Sequence, residues 1–295
     1  MNERSLRESG RVKRFGFVAV VMALAMATVP DTPLAQQFGG PRRVEVPMAY
    51  PYSAVGRWTL NDGGTRGICT AFFVNACTVV TAARCTFGKT IGNFQFEASD
   101  GQRFPVRNIV TTEAKGGDSP NLEVAFGQIA PRTGQKLADE KYGRFAFDDT
   151  DTVAASAGFT PHCSYGFSIN EEGKGGRGTL DPDVYIWGPA RLVLKDKVQS
   201  DEYFLHMMNG ALGSAGSPIF RCTPTIIDGK FLSVEVTAPA RLVGVAIRVS
   251  NDKDSYRFAD RMRVEPRHMA LGIGSQQFHP ALAEYVKVNP CEGSR

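Results

Sequence analysis

An all-β fold is expected from this sequence, and three observations lead to it. The apolar stretches are short and rich in β-branched and aromatic residues. Glycine and proline are frequent, 31 and 17 in 295 residues. Turn signals separate one stretch from the next. Such spacing suits barrels or sandwiches, whereas βαβ units would need helical segments between the strands.

Strands are expected at Ala71–Val74, Thr78–Thr81, Phe104–Val110, Glu123–Ile129, Val184–Trp187, Arg191–Leu194, Phe231–Val236 and Leu242–Val249. The polar stretch Pro131–Gly143 reads as a linker between two strand-rich halves. The Gly-rich stretch Asn170–Gly178 reads as an exposed hairpin tip and not as a phosphate loop, because no strand runs straight into a helix there. One helix is expected late, where His279-Pro280 opens Ala281–Val286: proline suits a first turn, and the apolar residues follow at helical spacing.

The first residues belong to a different kind of segment. Arg4, Arg7, Arg11, Lys13 and Arg14 precede an apolar run from Phe15 to Ala27, and small residues follow, with cleavage expected after Ala27 or Ala35. A charged start, a short apolar stretch and a small-residue exit describe an export signal over residues 1–36. The run is shorter than the roughly 20 residues a membrane span needs. Removing it takes away five basic and three acidic residues, so the formal charge falls from +4 to +2. That balance, with no basic run elsewhere, speaks against a nucleic-acid partner, and no later segment reads as a membrane span. The mature protein is expected in the periplasm or outside the cell.

Six cysteines remain, Cys69, Cys77, Cys85, Cys163, Cys222 and Cys291. An even count in an exported chain points to disulfides. A zinc site would need Cys-x-x-Cys pairs or clustered histidines, and the sequence has neither, so no metal or cofactor is expected.

Three segments carry the functional argument. Val79-Val80-Thr81-Ala82-Ala83-Arg84-Cys85, Leu122-Glu123-Val124-Ala125-Phe126 and Gly213-Ser214-Ala215-Gly216-Ser217-Pro218 follow one another in the chain. They resemble, in order and separation, the base, acid and nucleophile segments of trypsin/chymotrypsin-like serine proteases. The opening Tyr50-Pro51-Tyr52-Ser53-Ala54-Val55-Gly56-Arg57 is similar to the first strand of the bacterial glutamyl-endopeptidase-like branch. The resemblance covers the chain from about Tyr50 onward. It implies two antiparallel six-stranded Greek-key barrels with a site between them and a C-terminal helix. The implied division is 37–130 for the first barrel, 131–145 for the linker, 146–276 for the second barrel and 277–295 for the helix and tail. It also implies a Cys69–Cys85 bond and a Cys163–Cys222 bond; Cys77 and Cys291 are then left to pair by arithmetic.

At all three reactive positions the side chain differs from the family's. Acyl transfer needs a nucleophile, a base to take its proton and an acid to orient the base. Ala215 stands in the nucleophile's place and has nothing to ionise. Arg84 stands in the base's place, and a guanidinium does not deprotonate near neutral pH. Glu123 stands in the acid's place, one methylene longer than aspartate. The resemblance further implies backbone donors at Gly213 and Ala215 in an oxyanion-hole arrangement. Glutamate-preferring members carry a histidine after Gly-Val on a late strand, and here Ala246 follows Gly244-Val245. An Arg84–Glu123 ion pair is expected to fill the old catalytic position, costing around 3–5 kcal/mol to break if one charge stays buried.

Neighbouring groups are poor substitutes. Ser214 points elsewhere on a tight turn, Ser217 belongs to the Gly-Ser-Pro ending, and His206 lies on the second barrel. His162, His268 and His279 read as loop or surface residues. The expected function is therefore that of a non-catalytic serine-protease homologue that binds an unknown protein or peptide. An active endopeptidase with displaced catalytic groups and a structural envelope protein are the alternatives.

Overall fold

The structure is a computed structural model. It describes residues 42–43, 49–60, 69–86, 93–112, 124–130, 138–147, 162–169, 175–182, 184–194, 197–207, 215–228, 230–249, 255–258, 263–264 and 270–291. The expected export signal lies outside the described residues, and no described helix is long and apolar enough to cross a membrane.

After the two-residue strand β1 (Arg42–Arg43) come β2 (Val55–Leu60), β3 (Cys69–Phe73), β4 (Thr78–Ala82), β5 (Phe94–Glu97), β6 (Arg103–Thr111) and β7 (Val124–Ile129). The last six close into a barrel in the order β2-β3-β4-β7-β6-β5, every pairing antiparallel. Alternation sends Phe104 and Val106 of β6 inward and Arg103, Pro105 and Arg107 outward. The pattern breaks at Asn108, whose φ of 50° accompanies a register shift between Arg107 and Val110.

β3 and β4 are apolar on both faces for a physical reason. Ala71, Phe73 and Val79 face the barrel interior with Trp58, Phe94 and Phe96, while Phe72, Val80 and Ala82 pack outward against Tyr165, Phe220 and Val245 of the second half. A strand buried on both sides reads as a near-continuous apolar run.

The second half contains β8 (Ala146–Phe147), β9 (His162–Ile169), β10 (Gly175–Asp181), β11 (Tyr185–Leu194), β12 (Lys197–Met207), β13 (Pro218–Arg221), β14 (Thr223–Ile227), β15 (Lys230–Glu235), β16 (Arg241–Val249), β17 (Ser255–Phe258), β18 (Arg263–Val264) and β19 (Ala270–Gly274). With β1, most of these form an eleven-stranded sheet in the order β1-β10-β9-β13-β16-β19-β12-β11-β17-β18, with β8 beside β16. β14 and β15 make a separate hairpin. The two strands expected at Val184–Trp187 and Arg191–Leu194 are one strand, β11. The segment expected as a linker carries a short helix, Ala138–Tyr142, whose Tyr142 is buried in the first-barrel core.

The late helix spans Ser275–Val288 and so begins a turn before the expected start. Strand β19 ends at Gly274, whose amide donates to Gln277 Oε1 at 3.1 Å and starts the helix there. Pro280 therefore lies inside the helix, on its exposed side, where the lost backbone bond faces water. Phe278, Leu282 and Tyr285 form the buried face. They meet Phe126 of the first barrel, at 5.5 Å from Tyr285 and 6.2 Å from Phe278, and Phe147 of the second half, at 5.6 Å from Phe278. Beyond the helix, Gln128 Nε2 donates to Pro290 O at 2.9 Å, and Cys291 bonds Cys77.

Candidate functional site

Strand β4 delivers the first site residue. It ends at Ala82, and a 3-10 turn over Ala83–Thr86 carries Arg84. Ala83 is buried beneath the turn while Arg84 is exposed. The Cys69–Cys85 disulfide ties this turn to the start of β3. Beside it, Ala82 pairs with Val124, the first residue of β7. Val124 is held in turn by Thr112, whose amide and Oγ1 donate to its carbonyl at 2.8 and 3.1 Å. Glu123, one residue earlier, lies outside the described residues.

The second half delivers Ala215. Its carbonyl accepts the Thr70 amide at 2.9 Å, and Cys85 Sγ lies 4.0 Å from the same oxygen. Gly216 follows at φ +88°, a conformation that favours glycine. A Cβ there would stand 2.0 Å from Thr70 O and 2.4 Å from Thr81 Oγ1, so the chain reverses here in direct contact with β3 and β4. The Gly216 amide donates to Ala246 O at 2.7 Å, and the Ala246 amide donates to Ser217 O at 2.9 Å. The residue after Gly244-Val245 thus lies directly against the Ala215 turn.

Thr70 is the residue that sequence reasoning missed. Its amide holds the Ala215 carbonyl, its carbonyl accepts Thr81 Oγ1 at 2.7 Å, and its Oγ1 accepts the Phe167 amide at 2.9 Å. One fully buried threonine therefore connects β4, β9 and the Ala215 turn. Its only signal in the sequence is its position next to Cys69. Cys85 and Ala215 are brought together through these contacts, and Arg84 precedes Cys85 on the same 3-10 turn. Gly213 and Ser214 lie outside the described residues, so the donor pair expected at Gly213 and Ala215 is represented by Ala215 alone.

The histidines are arranged differently from expectation. His162 is fully buried on β9, opposite Arg221, and is neither a loop nor a surface residue. It shares a sheet face with buried Ser164, whose cross-strand neighbour on β10 is buried Asp181. These three residue types could suggest chemistry, but Ser164 Oγ donates to Pro218 O at 2.9 Å and the residue is 2% exposed. A substrate cannot reach it. His279 is half-buried and stacks on Phe147 at 4.7 Å. His206 is on β12, paired with Ile186 and Ala270. His268 lies outside the described residues. Ser217 is buried at 1% exposure, and its Oγ has no hydrogen-bond partner among the described residues.

Burial raises Tyr165 well above the usual phenol range, and the nearby Arg57 guanidinium only partly offsets this. At Asp100, burial works to raise the carboxyl. Hydrogen bonds from Lys141, the Gln102 amide and Tyr142 outweigh it and hold the group below the usual carboxylate range.

All six cysteines are paired, as Cys69–Cys85, Cys77–Cys291 and Cys163–Cys222. No protein-family model and no curated protein matches the chain. In fold the chain is similar to the inactivated protease paralogue S-D1 of the scabies mite, with a TM-score of 0.54 and 11% identity over 84% of this chain and 97% of that one. It also matches the protease Anisep from Arthrobacter nicotinovorans with a TM-score of 0.49 and 15% identity over 78% of this chain and 96% of that one. A closed six-stranded barrel, a second, largely antiparallel sheet and a C-terminal helix, together with the first of these likenesses, give this chain the chymotrypsin-like fold.

Proposed function

We propose that the protein is an exported, catalytically inactive homologue of the trypsin-like serine proteases, nearest the glutamyl-endopeptidase-like branch, and that it acts by binding a protein or peptide. One observation carries this reading. The Ala215 turn rests on Thr70, Thr81 and Cys85, beside the turn that bears Arg84, as a nucleophile loop would rest beside its base. A methyl group and a permanent cation occupy those places, and neither attacks a carbonyl nor takes a proton.

The three disulfides fit an oxidising compartment, which favours export of the chain after residue 36. The division into a first barrel at 37–130, a linker at 131–145, a second barrel at 146–276 and a C-terminal segment at 277–295 belongs to the same reading. So do backbone donors at Gly213 and Ala215, which would accept a ligand's carbonyl or carboxylate without cleaving anything.

Arg84 and Glu123 are proposed to pair across the old base–acid position. Arg84 is exposed, so the pair's worth falls from the 3–5 kcal/mol of a buried pair to about 1 kcal/mol or less. A double-mutant cycle with Arg84→Gln and Glu123→Gln should show that small coupling, and additive effects would remove the pair.

The function itself is tested with a fluorophosphonate probe and a casein-release assay on the mature protein. Neither covalent labelling nor release is expected. Labelling that disappears when one serine is changed would establish the displaced-site endopeptidase instead.

A further inference from the structure

We propose that the Cys69–Cys85 disulfide is a thiol-exchange site: an external dithiol reduces it while the fold persists, and its redox state controls how firmly the Ala215 turn is seated. The chemistry is independent of whether the crevice binds a peptide.

Access separates this bond from the other two. Cys69 and Cys85 are both partly exposed, whereas Cys163 and Cys222 are both buried. Cys291 is partly exposed, but its partner Cys77 is fully buried. Exchange requires one sulfur to be attacked and the other to leave as a thiolate, and a low-pKa thiolate leaves faster. Attack at Cys291 would expel a fully buried Cys77 thiolate, where burial opposes the charge and the Gln128 side-chain amide, 3.7 Å from Cys77 Sγ, offsets it only in part. At Cys69–Cys85 both residues are partly exposed, so attack on either sulfur leaves the charge on a residue that is not fully buried.

The span of each bond determines what the fold loses. Cys69–Cys85 closes 16 residues, against 59 for Cys163–Cys222 and 214 for Cys77–Cys291. Loop-closure entropy scales with the logarithm of that span. Opening the short loop therefore lowers the folding constant about sevenfold less than opening the middle one and about fiftyfold less than opening the long one. The barrel is also closed around β3 and β4 by its own ladder.

Reduction balances without further reagents. A thiolate of the dithiol attacks one Sγ and forms a mixed disulfide, and the other cysteine leaves as a thiolate. The second sulfur of the dithiol, once deprotonated, attacks the reagent's own sulfur, closes the oxidised ring and expels the second cysteine. Two electrons reach the protein, and the two protons given up by the dithiol end on Cys69 and Cys85. The consequence is local. Thr70 follows Cys69 and holds the Ala215 carbonyl, while Cys85 lies against that same oxygen. Opening the bond unties the Arg84 turn from the strand that seats Ala215.

The test treats the mature protein with graded dithiothreitol, traps free thiols with N-ethylmaleimide and maps them by mass spectrometry, with near-UV circular dichroism recording the fold. Cys69 and Cys85 should be trapped at least about tenfold faster than the other four, with the native spectrum retained. Hydrogen exchange at the Thr70 and Gly216 amides should rise in the reduced protein, while the barrel interior stays protected. A protein with Cys69→Ala and Cys85→Ala should show the same two amides exposed. Trapping of Cys77/Cys291 or Cys163/Cys222 first, or of all six together as the spectrum is lost, would overturn the exchange site. Unchanged exchange at Thr70 and Gly216 after selective reduction would overturn the coupling.

Discussion

The first half of the molecule closes six strands around aromatic rings, while the second lines its sheet mainly with aliphatic chains. Inside the barrel Trp58 meets Phe94 at 5.4 Å, and Phe73 meets Phe96 at 4.7 Å and Tyr142 at 5.7 Å. The corresponding cluster of the second half is Val184, Ile186, Phe204, Ile219, Val243 and Ala246, with one ring among six side chains. Rings bury more apolar area per residue, so each position in the barrel contributes more to stability. The Ala215 turn belongs to the half with the smaller contributions and rests on the half with the larger ones.

The comparison is most severely tested at Trp58. Trp58→Ala should lower stability by about 4 kcal/mol, seen as a fall in the urea midpoint. A loss below about 1 kcal/mol would show that the barrel core is not the stronger one. Gly216→Ala at the junction should cost about 3 kcal/mol, because a left-handed backbone and a Cβ pressed on Thr70 O are both unfavourable. Val243→Ala in the second cluster should cost about 2 kcal/mol by the same urea measurement.

Asp100→Asn should have the smallest effect, about 1 kcal/mol near neutral pH, discounted because Lys141 is largely solvated. Its pH dependence follows from the sign of the shift. The folded carboxyl is held below its ordinary value, so the contribution is complete above that value, about pH 4, and fades as pH falls through the folded one. The gap between wild type and variant should therefore close in acid, and a gap that widened there would contradict the assigned ion pair.

How much was legible in the sequence differs between the halves for a related reason. β3 and β4 are apolar on both faces and bracketed by Cys69 and Cys85, so their pattern was strong. In β9, Cys163, Tyr165, Phe167 and Ile169 alternate with His162, Ser164, Gly166 and Ser168, a pattern that ordinarily turns its polar side to water. Here that polar side is buried as well, which is why His162 reads as a surface residue in the sequence and is not one in the fold. The helix starts earlier than Pro280 suggests, because the Gln277 side chain caps the Gly274 amide one turn before it. At the candidate site, the identities of Arg84 and Ala215 are read directly from the chain, and the roles proposed for them rest on the resemblance. The role of Thr70 is not legible there, since three hydrogen bonds to distant segments leave no local pattern.

The most direct measurement is fluorophosphonate labelling of the mature wild-type protein beside a variant carrying Arg84→His, Glu123→Asp and Ala215→Ser, with the modified residue located by mass spectrometry. The wild type should take no label, and the variant should take it at position 215. Label on a wild-type serine, lost when that serine is changed, would show that this chain still performs acyl transfer from a site elsewhere.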